Sequence, residues 1–212
     1  MEKCGSCGCL IGSKRCRALE RVIDSMRVPC GNAPHGCTES LTFSHKLHHE
    51  NMCPHSPCFC PYPNCSYMGL HSSVNSHFAA NHSASSQRFM FNCEDSVTLE
   101  TDQRHVFLQE FTEDTLFVLS RRENSLGTVV TVECIGPISL ERKFVYEVVA
   151  ADGVVFAKLR ALAETRAVWL GGEQPGNSYL LVPKDFVGAD GKLNLEVTIK
   201  SDRGRRSARA RK

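Results

Sequence analysis

Hydrophobic spacing changes character twice along this chain. Residues 17–26 place Leu19, Val22, Ile23 and Met26 at i, i+3, i+4 and i+7, with charged residues on the other side. That period predicts an amphipathic helix, ended at Val28-Pro29 and expected to pack locally. From Gly31 to Pro63 there is no periodicity, only Pro, Asn, Ser, His and Gly around scattered apolar residues. Residues 72–82 then predict a short helix, with Val74 and Phe78 one turn apart, and Ser83-Ala-Ser-Ser-Gln87 reads as a polar linker. After it the period becomes two.

β-type runs recur at Arg88–Asn92, His105–Phe111, Thr115–Ser120, Thr128–Ile135, Lys143–Ala151, Val154–Leu159, Ser178–Pro183 and Lys192–Lys200. The last is the clearest, with Leu193, Leu195, Val197 and Ile199 on one face and Asn194, Glu196, Thr198 and Lys200 on the other. Turn signals such as Asn124-Ser-Leu-Gly127, Asp152-Gly153 and Ala189-Asp-Gly191 separate several of them. Short strands with hairpin-like turns and little helix predict an all-β antiparallel sandwich over 88–200.

The aperiodic stretch needs another source of stability, and its cysteines and histidines supply one. The chain reads Cys30-x6-Cys37-x11-His49-x3-Cys53, then Cys60-x4-Cys65-x11-His77-x4-His82. Thiolate and imidazole are the ligands of closed, tetrahedral zinc sites, so two ordered quartets predict two structural zinc ions in a small α/β finger module at 30–83. A structural zinc contributes on the order of 10–16 kcal/mol to a finger peptide, more than the few apolar residues there can supply. Competing donors sit close by. Cys58 lies two residues before Cys60 and reads as a buried free thiol. His45 and His48 compete with His49, which the x3 spacing to Cys53 favours. Four protein ligands per site leave no open position, so the metal builds shape and activates no water.

Composition refines this picture. Of the 12 cysteines only Cys93 and Cys134 lie beyond Cys65, which separates a metal-dependent N-terminal part from a C-terminal part with its own core. No secretory leader or membrane span is legible, so the expected setting is intracellular, cytoplasm or nucleus, with thiols reduced. The net charge of +2 hides a basic tail: Lys200, Arg203, Arg205, Arg206, Arg209, Arg211 and Lys212 face only Asp202. Nucleic-acid binding is not favoured, because neither finger has groove-reading spacing and the tail lacks interleaved aromatics. No nucleophile triad, phosphate loop or paired-carboxylate motif appears, so no catalytic residue is assigned. Trp169, the single tryptophan, reads as a packing aromatic, with a peptide anchor as the sharper alternative.

The run Ile11-Gly-Ser-Lys-Arg-Cys-Arg-Ala-Leu-Glu20, then Val28-Pro-Cys30, then the double register, resembles the seven-in-absentia family of RING-type E3 ubiquitin ligases. Tyr179-Leu-Leu-Val-Pro-Lys-Asp-Phe-Val-Gly188 resembles its plant branch. The resemblance implies that the β-rich part is a TRAF-like substrate-binding sandwich that also dimerises, as a homo- or heterodimer, and that can take an extended peptide beside a sheet edge. It implies protein substrates and no membrane. It also selects His49.

Family members open with a RING holding two zincs through eight ligands, and here only Cys4-x2-Cys7 stands where the last pair belongs. The expectation is a RING remnant at 1–16 with doubtful metal at Cys4 and Cys7, followed by a linker helix at 17–29 and, at the other end, a basic tail at 201–212. A conjugating enzyme is expected to dock only if a RING is restored. Two functional readings follow: a ligase-family member that recognises substrates for ubiquitination and degradation, or a non-catalytic adaptor that competes with full-length relatives.

Overall fold

A computed structural model describes residues 9–10, 16–169, 171 and 178–201. Cys4 and Cys7, and the basic tail beyond Ser201, lie outside the described residues. The first helix among the described residues is α1 (Arg17–Ser25), followed by strand β1 (Arg27–Pro29), which pairs antiparallel with β2 (Ser40–Thr42), and helix α2 (Phe43–Met52). The plan then repeats. Strand β3 (Cys58–Phe59) pairs antiparallel with β4 (Met68–Gly69), and helix α3 (His71–Asn81) follows.

The remaining strands are β5 (Ser86–Phe89), β6 (Glu94–Leu99), β7 (His105–Glu110), β8 (Leu116–Glu123), β9 (Gly127–Ile135), β10 (Phe144–Asp152), β11 (Val155–Leu162), β12 (Glu164–Arg166), β13 (Leu180–Pro183) and β14 (Leu193–Ser201). They form two sheets. One has the order β11-β10-β14-β6, and the other β12-β9-β8-β7-β5, with β13 also on β9. Inner faces meet as in a sandwich: Phe117, Leu119, Val130 and Val132 pack in one core with Tyr146, Val148, Val197 and Ile199.

The sandwich is mostly antiparallel, with two exceptions. β5 runs parallel to β7 and β12 runs parallel to β9. The segment expected to be a polar linker therefore ends in a strand, because Ser86 and Gln87 find ladder partners in Phe107 and Leu108. Helix α1 forms as its period requires, but Leu19, Val22 and Met26 each stay more than half exposed. Local packing does not cover its apolar stripe.

One arrangement decides how the two halves relate. β9 is buried at every position from Gly127 to Ile135. A strand buried on both faces needs a layer on each side. At the Ile135 end of β9, and over β7 and β8, that layer is the repeated hairpin-helix unit: Cys58, Cys60, Val74 and Phe78 form one cluster with Phe107, Leu116, Val118 and Ile135. Phe107 and Phe78 meet edge to face at 5.1 Å. Polar ties reinforce the contact, since Gln109 Nε2 donates to the Asn75 carbonyl at 3.3 Å and the Phe59 amide donates to the Ala167 carbonyl at 2.8 Å. The first unit has a small core of its own, made of Cys30, Cys37 and Cys53 with Leu41 beside them.

Candidate metal centres

Each hairpin-helix unit gathers one quartet. Cys30 follows β1 and Cys37 follows a tight turn at Gly36, which adopts φ +101°. A side chain is strained there, so glycine suits the turn. His49 lies on the last turn of α2 and Cys53 caps its C-terminus. In the second unit Cys60 and Cys65 flank the loop after β3, where Asn64 takes φ 61°, while His77 lies on α3 and His82 caps it. A hairpin supplies two donors and a helix supplies two, in the same order both times.

Within each quartet all four donor atoms lie within 4.8 Å of one another. Cys30 Sγ and Cys53 Sγ are 3.9 Å apart. Cys37 Sγ is 3.4 Å from His49 Nε2, and Cys65 Sγ is 3.3 Å from His77 Nε2. Bond lengths of about 2.3 Å for zinc–sulfur and about 2.0 Å for zinc–nitrogen give a tetrahedron with edges of about 3.8 Å between sulfurs and about 3.5 Å between sulfur and nitrogen. The spacings fit that figure. His82 Nε2 is buried with no hydrogen-bond partner among the described residues, an orphan that a cation would satisfy.

The electrostatics agree. Burial pushes the Cys60 thiol up to about 11, and the adjoining Cys65 thiol adds to the rise. Burial, then the neighbouring His77, holds the His82 imidazole below its ordinary value. Thiols crowded in this way keep their protons until a cation replaces them. All ten described cysteines are free of disulfides.

Several side chains that hold the donors were not legible as site residues. Tyr67 stacks on His77 at 3.9 Å and Tyr62 stacks on His82 at 4.1 Å. Asn81 Nδ2 lies 3.2 Å from His77 Nδ1, which orients the ring. Their signal was available: each tyrosine stands two residues after a cysteine donor. In the first unit Glu50 accepts from the Gly31 amide at 2.6 Å and pairs with Lys46, tying α2 to the Cys30 turn.

The competing donors fall elsewhere. Cys58 is fully buried in the shared core, where burial raises its thiol to about 12. His48 is exposed, and His45 Nδ1 lies 2.7 Å from Thr42 Oγ1 at the start of α2. Trp169 is partly buried against the same core, edge-on to His105 at 4.9 Å, with its indole Nε1 lacking a hydrogen-bond partner among the described residues. It borders a cleft of about 540 Å³ that also touches Pro61, Tyr62, Arg104 and His105.

A family model described as "Sina, zinc finger" matches residues 21–92, which contain both quartets. The chain is 28% identical over 206 residues to the E3 ubiquitin-protein ligase SINA-like 10 of Arabidopsis thaliana, covering 93% of this chain and 57% of that protein. It is 32% identical over 208 residues to SINA-like 4 of the same plant, covering 93% and 62%. Against SINA-like 6 it is 30% identical over 191 residues, covering 88% and 68%. The chain belongs to the SINA-like E3 ubiquitin-protein ligase family. It spans between 57% and 68% of the length of these three SINA-like proteins. The alignments run through the β-sandwich as well as the fingers, so the SINA-like assignment covers both. Among the described residues no helix is long and apolar enough to cross a membrane.

Proposed function

We propose that this chain folds around two structural zinc ions and serves as the substrate-holding part of a SINA-like ubiquitin ligase. Cys30, Cys37, His49 and Cys53 hold the first ion, and Cys60, Cys65, His77 and His82 the second. The fingers span 30–83 and the substrate-binding sandwich 88–200, in an intracellular compartment that keeps thiols reduced. Closed tetrahedral sites leave no coordination position for water, so the zinc contributes rigidity alone. Transfer of ubiquitin then depends on proximity: one part of the ligase holds a charged conjugating enzyme while the sandwich holds a protein substrate within reach. The sandwich also pairs with a second copy or a relative, which doubles the substrate sites per assembly. Ubiquitinated substrate passes to the proteasome.

The observation that carries this reading is the core shared by the second finger and the sandwich. A rigid joint there fixes the direction in which bound substrate is presented, which a flexible linker could not do. The cleft beside Trp169, Arg104 and His105 opens at that joint and supports a substrate contact there.

Native mass spectrometry tests the metal, with two zinc ions expected; one ion or none on a folded chain overturns it. Reconstitution with activating enzyme, conjugating enzyme, ubiquitin and a RING-bearing SINA-like relative tests the ligase role. Ubiquitin conjugates that increase when this chain is added are expected, and a decrease with a folded, zinc-loaded protein favours the competing-adaptor reading.

A further inference from the structure

Arg104 stands just before β7, where its carbonyl accepts from the Arg121 amide at 2.7 Å and so fixes where the side chain starts. The residue is exposed, and among the described residues its guanidinium has no hydrogen bond or ion pair. The neighbouring Arg121 is already committed, pairing with Glu123 at 2.9 Å and donating to the Glu100 carbonyl at 3.2 Å. Arg104 is a cation anchored at its backbone and open at its head.

The cleft that this residue borders beside Trp169 supplies the rest. Pro61, Tyr62, Pro63, Val168 and Trp169 give it apolar and aromatic walls, and no aspartate or glutamate lines it. His105, on the same wall, is held below its ordinary value by burial and stays neutral near pH 7. With zinc in the adjoining quartet, two thiolates and one divalent ion cancel, so Arg104 is the single net charge among the described residues that line the cleft. On the other side of Arg104 a second cleft does carry Asp102 and Glu123, which leaves the Trp169 side as the place for an anion. One cation above apolar walls fits one anionic side chain next to an apolar one, because arginine meets a carboxylate or phosphate with two parallel hydrogen bonds. A nucleic-acid backbone calls for a row of cations, which this cleft lacks.

We propose that the cleft between the second finger and the sandwich selects protein segments with an acidic or phosphorylated side chain next to an apolar one, the anion on Arg104 and the apolar group on Tyr62 and Trp169. The inference rests on the substrate contact proposed above for this cleft and adds a charge rule to it. Apolar area brings a segment in, and Arg104 decides which segment stays. A substrate phosphorylated at that position is held more tightly than its unmodified form.

The test titrates the full zinc-loaded chain with nonapeptide pools whose central residue is glutamate, phosphoserine, glutamine or lysine, the other positions being degenerate without tryptophan, tyrosine or cysteine. Anisotropy of labelled pools reads binding anywhere on the chain. With unlabelled pools the emission of Trp169, the single tryptophan, reads occupancy of the cleft. The glutamate and phosphoserine pools are expected to bind at least about fivefold tighter than the glutamine pool and to shift that emission, with the lysine pool weakest. Arg104→Gln, an exposed change, should erase the preference, and Arg104→Glu should turn it towards lysine. Tighter binding of phosphoserine than glutamate assigns the anion to a modified side chain, and equal binding of those two assigns it to any carboxylate. Equal binding of all four pools overturns the proposal, as does a preference that survives Arg104→Gln; if Trp169 emission still shifts, the substrate contact stands and the charge rule alone falls. Binding that leaves the emission unmoved, or no binding, overturns both. Displacement of the glutamate pool by a short oligothymidylate at equal concentration also overturns the proposal, in favour of nucleic acid.

Discussion

Removing one thiolate from the second finger should undo the sandwich as well as the finger. Cys65→Ser takes away one of four donors of the quartet that holds His77 and His82, and with them Tyr67, Tyr62 and the end of α3. When α3 lifts, the outer faces of β7, β8 and β9 lose their cover, exposing Phe107, Leu116, Val118 and Ile135. At about 1.5–3 kcal/mol per large apolar side chain, four of them amount to about 6–12 kcal/mol, an upper figure because a loosened chain still shields some surface. Whole domains are stable by only about 5–15 kcal/mol, so the loss competes with the entire fold. Trp169 packs on this cluster and reports it directly. Cys65→Ser should shift tryptophan emission to the red and lower Tm by at least about 10 °C. Cys37→Ser is the control. It should release one zinc with little change in emission, since the first finger's cysteines form a separate cluster. Unchanged emission and Tm in Cys65→Ser, after confirmed loss of zinc, would refute the argument.

Three further outcomes follow from the packing. Iodoacetamide should label the exposed Cys93 in the native protein and spare Cys58 and Cys134, whose thiols burial holds well above the ordinary range; intact-mass and peptide analysis reads this directly. Arg142 pairs with Glu113, bonds Ser201 and lies 4.9 Å over the rings of Phe91 and Phe144, so Arg142→Ala should cost about 1–3 kcal/mol in urea unfolding. Burial holds the His71 imidazole below its ordinary value, with the Arg142 charge adding to this and a hydrogen bond to Ile135 opposing it. A lowered folded value means the unfolded chain takes up the proton first, so His71's contribution is complete above about pH 6.5 and is lost as pH falls below it. His71→Gln should therefore lose less Tm than the parent between pH 7.5 and pH 5.5; an equal loss removes His71 from the explanation.

Legibility followed the source of order. Strands with one wet face, such as β14, announce themselves by alternation, and the two quartets by spacing, with the family resemblance helping to choose His49 over His45 and His48. Helix α2 was invisible because its two large apolar residues at the start and middle, Phe43 and Leu47, are both exposed, and its order comes from His49 and Cys53 reaching the first quartet. Strand β6 hid behind Glu94, Asp95 and Ser96, its core face reduced to Val97 and Leu99. Strand β12 is three residues long and is held by a parallel ladder to β9 that no local pattern encodes. Cys58 was readable as a buried thiol, yet its place in the layer joining finger to sheet depends on contacts with residues about 50 positions or more away. The same holds for β9. The run Thr128–Ile135 was legible as a strand, whereas the finger layer that covers Ile135 at its end was not.

That second layer also orders events during synthesis. Val74 and Phe78 leave the ribosome well before Phe107, Val118 and Ile135, the residues that cover them. The second finger can gather its four donors early, but its helix keeps an oily flank turned to solvent until β9, the fourth strand of the opposing sheet to be made, is complete. A chain halted between residues 82 and 135 would hold a finger with its donors gathered and nothing to lean on.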